Sequence, residues 1–278
     1  MGFMAKHFSF DGIPCERFGM RIYDIDGNNN KATPFASPGK IVSDAIPSTG
    51  KNYLYGRNLS APLDFDLVFG LEPCQLDGDD YLDRFDMDAV ARWLVEPTEY
   101  KWLEIEQPDM EYFRYRCVIS ELTPINIGWL PIAFTAKVVC DSPYGYRNRE
   151  TFEYTNVSGN NAIHPIIENR STLKRPYYPK LEIKIKTQNA NAQVKIQTTR
   201  NNAVDREFIL PLGNLSVNTV VAVDNERGVI SSSNGENLYA DFDFNWLYLH
   251  EGENQTNISV TGNVDLKIIC DFPVDIGG

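Results

Sequence analysis

The stretch from residue 79 to residue 146 changes its hydrophobic period in the middle, and this change constrains the fold more than any other feature. Its first part repeats side chains at a spacing of four, Tyr81, Phe85, Ala89 and Trp93, with Leu82, Val90 and Leu94 beside them. That spacing predicts one amphipathic helix over about residues 80–95, with these side chains on its apolar face. Pro97 lacks a backbone donor and restricts the residue before it, so we expect the helix to end at residue 95 or 96.

After Pro97 the period falls to two, which is typical of strands with one buried face. The alternation is found over residues 102–105, 112–119 and 132–139, and also before the helix over residues 63–69. A single helix is therefore expected to lie against antiparallel strands.

Lys40–Tyr55 is predicted to form a long hairpin or arm with Ser48, Thr49 and Gly50 at its tip. Residues 7–25 are predicted to hold two short strands joined at Asp11 and Gly12.

Residues 147–180 are polar and rich in turn-forming residues, which indicates a junction between two domains. We place the domains at residues 1–148 and 149–278. Beyond the junction the sequence predicts seven short strands and no helix: 181–186, 193–199, 207–210, 219–223, 229–231, 258–260 and 264–270. This pattern favours a β-sandwich, although the last strand could instead return to the first domain.

Two acidic segments were considered as metal sites. Asp24–Asn28 lacks the glycine and glutamate that a calcium loop needs, so a turn is the better interpretation. The acidic residues between 77 and 88 coincide with the predicted helix start, where carboxylates cap the helix and complement its dipole. We therefore predict no metal and no cofactor.

Catalytic motifs are absent from the sequence. The three histidines are far apart along the chain, and there is no zinc-protease, nucleophile-elbow or phosphate-loop signature. We expect a protein that is not an enzyme, although a pair of carboxylates of the glycosidase kind would leave no signature.

The net charge of −12 argues against a protein that wraps DNA, because that mode of binding needs clustered lysine and arginine. The five cysteines form no metal-binding or paired spacing and are expected to be reduced and mostly buried. No signal peptide and no membrane span are predicted, so synthesis in a cytoplasm is expected.

The order of several segments resembles the distal tail proteins of long-tailed, non-contractile bacteriophages. In the first half these are a helix ending in Trp93-Leu94, a strand pair divided at Pro108-Asp109, and a strand closing on residues 140–146. The first strands, at residues 8–13 and 18–22, are also similar to that family. In the second half the resemblance lies in residues 223–229, 246–254 and 258–262.

This resemblance implies a mainly β fold with two parts: an N-terminal β-sandwich-like, tail-tube-like domain with one flanking helix, and a C-terminal galectin-like β-sandwich. It also implies a homohexameric ring in the virion, at the distal end of the tail. Such a ring would be a hub between the major tail tube protein and the tail-tip or baseplate proteins, with receptor-binding proteins attached, and DNA would pass through an acidic bore without specific binding. The arm would supply ring contacts through Lys40, Ile46, Tyr53 and Tyr55.

A second hypothesis is a carbohydrate-binding host-adhesion module in the C-terminal sandwich. Its aromatic platform for cell-wall glycans would be Tyr177, Trp246 and Tyr248. For the aromatic residues between 239 and 248, burial in the core or an interface is the favoured alternative.

Overall fold

The structure is a computed structural model of the 278-residue chain. It describes residues 6–22, 40–46, 50–58, 61–71, 81–106, 113–159, 162–200 and 203–275, and in the strands around residue 50 it describes the backbone alone at residues 40, 41, 45, 46 and 56–58. Three predicted features lie outside these ranges: the turn at Asp24–Asn28, the Pro108-Asp109 turn and the acidic residues before Tyr81.

The described residues divide into two compact units, one of residues 1–148 with 274–278 and the other of residues 149–273. In the first unit the strands are β1 (Phe8–Phe10), β2 (Ile13–Pro14), β3 (Met20–Ile22), β4 (Lys40–Ile46), β5 (Lys51–Asn58), β6 (Asp64–Leu71), β7 (Lys101–Ile105), β8 (Phe113–Ile127), β9 (Leu130–Cys140) and β10 (Gly145–Tyr146). A 3₁₀ turn covers Cys15–Phe18, and the helix α1 covers Arg84–Val95. The described part of the chain includes no helix that is both long and apolar enough to cross a membrane.

Seven strands of the first unit follow one another in the order β2-β1-β7-β8-β9-β6-β3 within a nine-stranded sheet, to which β10 is joined through β8. The described pairings of these strands are antiparallel. The last strand of the chain, β20 (Pro273–Val274), pairs with β10. The apolar face of this sheet and α1 form one hydrophobic core.

Helix α1 ends at Val95, as predicted, but it begins at Arg84 rather than near residue 80. Its start is fixed by Asp83, whose carboxylate accepts hydrogen bonds from the backbone N–H groups of Phe85 (2.7 Å) and Asp86 (2.8 Å). The side chain of Asp86 accepts a hydrogen bond from the backbone N–H of Asp83, which completes a capping box. In these two residues the acidic segment caps the helix, as the sequence indicated.

The predicted apolar face of α1 is confirmed for Leu82, Val90, Trp93 and Leu94, which are buried, and is wrong for Tyr81 and Phe85. Phe85 is 83% exposed and Tyr81 is 49% exposed. A helix advances about 100° per residue, so a spacing of four drifts by about 40° at each step. Counting back from the buried Trp93, each step of four residues therefore turns the side chain further from the sheet, so Phe85 and Tyr81 are exposed.

The second unit is a β-sandwich. Its strands are β11 (Glu150–Ser158), β12 (Ile166–Asn169), β13 (Lys180–Thr187), β14 (Ala192–Arg200), β15 (Ala203–Gly213), β16 (Val220–Asp224), β17 (Val229–Ser232), β18 (Gly252–Thr261) and β19 (Asn263–Cys270). A five-stranded sheet has the order β11-β19-β13-β16-β17, and a four-stranded sheet has the order β12-β18-β14-β15. Side chains from both sheets form one buried cluster. The mainly β fold is confirmed, and the described residues include one α-helix, α1.

Two strands of this unit, β11 and β12, lie inside the stretch that the sequence analysis assigned to the polar junction. Both are edge strands that pair on one side only among the described strands. The predicted last strand, β19, stays in the second unit between β11 and β13.

Candidate assembly surfaces

The strands β4 and β5 form the predicted hairpin. They pair antiparallel from Lys40 opposite Asn58 to Ile46 opposite Lys51. The predicted tip residues Ser48 and Thr49 lie outside the described residues. Gly50, just before β5, has a φ of 63°, a left-handed conformation that glycine adopts without strain. In the described part of the chain this hairpin is a sheet of two strands with no third partner.

The described side chains of this hairpin are exposed on both of its faces. Tyr53 is 47% exposed, and its sequence neighbour Leu54, which points to the opposite face, is 66% exposed. Tyr55 is 69% exposed and is the extra residue of a β-bulge, because Leu54 pairs with Ser43 and the next pair is Gly56 with Val42. The predicted contact residues Lys40 and Ile46 stand at the two ends of the paired register.

An isolated two-stranded hairpin is marginally stable in water, and its outer edges present unpaired N–H and C=O groups. Apolar side chains such as Leu54 and Tyr55 gain free energy only when a partner covers them. The hairpin therefore has the features of a surface that is completed by another protein chain.

A second exposed apolar group, which the sequence analysis missed, lies at the turn between β8 and β9. Trp129 is 88% exposed and Ile127 is 64% exposed, with Gly128 between them at a φ of 64°. The backbone N–H of Leu82 donates to the carbonyl oxygen of Pro131 at 2.8 Å, which ties the start of the helical segment to the beginning of β9. The signal in the sequence was an apolar turn, Ile127-Gly128-Trp129-Leu130, where polar residues are usual.

Two of the three residues predicted for a glycan platform are packed against the core of the second unit. The ring of Tyr177 lies 4.8 Å from that of Phe272, and its hydroxyl accepts a 2.7 Å bond from the backbone N–H of Asp271. Burial raises the pKa of Tyr177 well above its usual range. Trp246 is half-buried, with its ring 4.8 Å from that of Phe242 and beside Gly228, where an added Cβ would touch the indole at 3.4 Å.

The third residue, Tyr248, belongs to a half-buried polar cluster. The guanidinium of Arg206 lies 5.1 Å from the centre of its ring, and the ring of His250 meets it edge-on at 5.1 Å. Asp205 lies 2.6 Å from Nε2 of His250 and accepts a 3.4 Å bond from the Tyr248 hydroxyl. Desolvation raises the pKa of Tyr248. The three predicted rings therefore have different surroundings: Tyr177 and Trp246 pack against the core, and Tyr248 is in contact with charged groups.

The described cysteines, Cys15, Cys117, Cys140 and Cys270, are free and buried. Cys117 and Cys140 stand directly opposite each other on β8 and β9. Burial, with a smaller contribution from the charge of Asp141, raises the pKa of Cys140 to about 12 and that of Cys117 further. A raised pKa favours the protonated form of Cys117 and Cys140, which is the less reactive form of a thiol.

Comparison with known families identifies the class of protein. The family described as phage tail protein N-terminal domain matches residues 3–142, and the one described as phage tail C-terminal domain matches residues 144–270. The chain belongs to this phage tail protein family, and it is a structural tail protein.

A solved structure shows the same fold. The crystal structure of the Dit protein of phage SPP1, described as a paradigm of the hub adsorption apparatus in phages that infect Gram-positive bacteria, is similar with a TM-score of 0.59 and 12% identity over 96% of this chain and 98% of that chain. A chain of the phage p2 baseplate in its strontium-activated conformation has a TM-score of 0.49 and 11% identity over 91% and 92% of the two chains. Comparison with curated proteins finds no match. The resemblance is thus confirmed at two levels: the chain belongs to a phage tail protein family, and it has the fold of the SPP1 Dit protein.

Proposed function

We propose that this protein forms a homohexameric ring at the distal end of the tail, where it joins the tail tube to the tail-tip or baseplate proteins. The observation that carries the proposal is the two-stranded hairpin β4–β5, whose described side chains are exposed on both faces. The similarity of the fold to that of the SPP1 Dit protein supports the same role.

A ring requires contacts that join the head of one copy to the tail of the next and then close. Strand addition at an open hairpin edge supplies such a contact, because main-chain hydrogen bonds provide affinity and alternate side chains provide specificity. Tyr53 and Leu54, on opposite faces, would be covered by this arrangement. The exposed Trp129 is a second contact available to a neighbouring copy or to another tail protein.

The DNA would pass through the bore of the ring without specific binding. The chain carries 38 acidic and 26 basic residues, and we expect acidic side chains to predominate on the bore wall because they repel phosphate. A ring structure with a basic bore would contradict this part of the proposal.

Two measurements test the ring and its place. Light scattering on the purified chain should give a species of six times 31.6 kDa, and electron micrographs of that species should show six-fold rings. Gold-labelled antibodies against the chain should bind intact virions at the tail end farthest from the capsid. Labelling along the whole tail, or a stable dimer as the largest species in the presence of tail tubes, would contradict the proposal.

Carbohydrate binding by the second unit is a separate hypothesis. Tyr248 is the residue that supports it, because its ring lies beside Arg206, Asp205 and His250, and such charged groups can bond to sugar hydroxyls. Retention of the protein on host cell-wall glycans should be lost in Tyr248→Ala and kept in Tyr53→Ser, whose change lies in the other unit. Equal retention in both variants would contradict it.

A further inference from the structure

A side-chain cluster near the beginning of the chain holds three different metal-binding groups. His7, Cys15 and Glu16 each present one ligand atom, and the three atoms lie within 4.8 Å of one another. His7 precedes β1, whereas Cys15 and Glu16 begin the 3₁₀ turn, so the fold brings two separate segments together. Sequence spacing alone gave no metal motif here.

The distances within the cluster are close to those between ligands of one metal ion. Nδ1 of His7 lies 2.9 Å from Oε1 of Glu16, and Sγ of Cys15 lies 3.4 Å from Oε2 of the same carboxylate. Neighbouring ligand atoms around a tetrahedral zinc ion are about 3.3–3.6 Å apart, given bonds of about 2.0–2.3 Å. Small side-chain movements would therefore bring all three atoms to bonding distance of a common centre.

The hydrogen bonding of the cluster also points to a missing ligand. Nδ1 of His7 is buried, and although Oε1 of Glu16 is 2.9 Å away, the two atoms are not aligned for a hydrogen bond and Nδ1 has no other hydrogen-bond partner among the described groups. A buried polar atom without a partner costs free energy. A metal ion bound to Nδ1 would give this buried atom the partner that it lacks.

The thiol of Cys15 donates a hydrogen bond to Glu16, and a metal ion would take the place of the proton that it donates. Cys15 is fully buried, and its Sγ accepts a 3.4 Å hydrogen bond from the backbone N–H of Phe8. This N–H belongs to the residue after His7, so the same short segment supplies a ligand and supports another ligand.

We propose that His7, Cys15 and Glu16 bind a divalent transition-metal ion of the zinc class, with water at the fourth position. Thiolate and imidazole ligands favour zinc over magnesium and calcium. Binding would release the thiol proton to the solvent and form bonds from the metal to sulfur, nitrogen and oxygen. The ion would tie the residue before β1 to the 3₁₀ turn, within the unit proposed to form the ring.

Cobalt gives a direct test, because a cobalt–thiolate bond produces a charge-transfer absorption band that oxygen and nitrogen ligands do not. Titration of the full chain with Co²⁺ should produce this band at one equivalent, and Zn²⁺ should remove it. The band should disappear in Cys15→Ser, and zinc affinity should fall at least about tenfold in His7→Gln and in Glu16→Gln, whose side chains are partly exposed.

The matched control is His250→Gln. Nε2 of His250 also lies 2.6 Å from a carboxylate, that of Asp205, but this pair belongs to no described cluster that includes a cysteine. This variant should keep the wild-type titration. The absence of a charge-transfer band in the folded wild-type protein would overturn the proposal, and so would a band that persists in Cys15→Ser. If Cys15→Ser does not fold, unchanged zinc affinity in both His7→Gln and Glu16→Gln would overturn it equally.

Discussion

The indole N–H of Trp93 donates a 3.0 Å hydrogen bond to the backbone carbonyl oxygen of Phe10. This bond joins helix α1 to strand β1 inside the core of the first unit. The indole also stacks on the rings of Phe8 and Phe18, at centroid distances of 5.6 Å and 4.7 Å. One side chain thus connects the helix to the first strand and to the 3₁₀ turn.

We expect Trp93→Phe to lower the free energy of unfolding of the first unit by about 1–3 kcal/mol, because it removes a buried hydrogen bond and leaves a void. Urea denaturation followed by circular dichroism measures this loss. The control is Trp129→Phe at a side chain that is 88% exposed, where a change below about 0.5 kcal/mol is expected. Equal effects at the two positions would show that the packing of Trp93 does not hold the helix.

The hairpin makes a prediction about assembly. The double variant Tyr53→Ser and Tyr55→Ser should abolish the six-copy species in light scattering while leaving the thermal midpoint of the monomer unchanged, because both rings are exposed in the single chain. Val217→Ser, at a 50% exposed residue of the second unit, should assemble as the wild type does. Full assembly of the double variant would exclude these two tyrosines as the ring contact.

Asp265 makes a prediction about pH. Its carboxylate accepts a 2.9 Å bond from the backbone N–H of Asn156 at a bulge in β11, and this bond, with Lys186 nearby, lowers the pKa of Asp265 from 3.8. Because the pKa of Asp265 is lower in the folded than in the unfolded state, its charge stabilises the fold at pH values above the unfolded pKa of about 4. This contribution is lost as the pH falls from about 4 through the folded pKa.

Asp265→Asn should therefore reduce the free energy of unfolding by about 1 kcal/mol at pH 7 and by much less at pH 2. Urea titrations at the two pH values give the comparison. A difference between variant and wild type that is the same at both values would mean that the charge of Asp265 does not contribute.

The buried thiols predict slow chemical labelling. In a Cys74→Ser background, the four cysteines that the structure describes should react with Ellman's reagent at pH 8 only as fast as the protein opens, because burial raises their pKa and blocks access. Unfolding in guanidinium should release four reactive thiols at once. Rapid labelling of the folded protein would contradict this burial.

The sequence predicted the elements that follow local rules. The end of α1 depends on Pro97, and the β4–β5 hairpin was indicated by turn-forming residues before an alternating segment, so both could be located. The apolar pattern also predicts the buried Val90 and Leu94, but not the exposure of Phe85, because the packing of α1 against the sheet decides it. Local periodicity does not contain that information.

The strand β11 also could not be predicted from local sequence, because its partner is far away along the chain. Its side chains Phe152 and Tyr154 are half-buried and alternate with exposed ones, and its pairing is supplied by β19, more than a hundred residues later. The exposed Trp129 was missed for a different reason. A tryptophan in a sequence suggests burial, and only the structure shows that the turn at Gly128 leaves it in solvent.

The two open edges of the β4–β5 hairpin also have a genetic consequence. If each copy depends on its neighbours' hairpins, one defective copy spoils every ring that it enters. When half of the copies made in a cell are defective, only about 2% of six-membered rings would consist of intact copies alone. A hairpin variant supplied from a plasmid during infection would therefore act as a dominant inhibitor of tail assembly, and host cells that carry it would release few infectious particles.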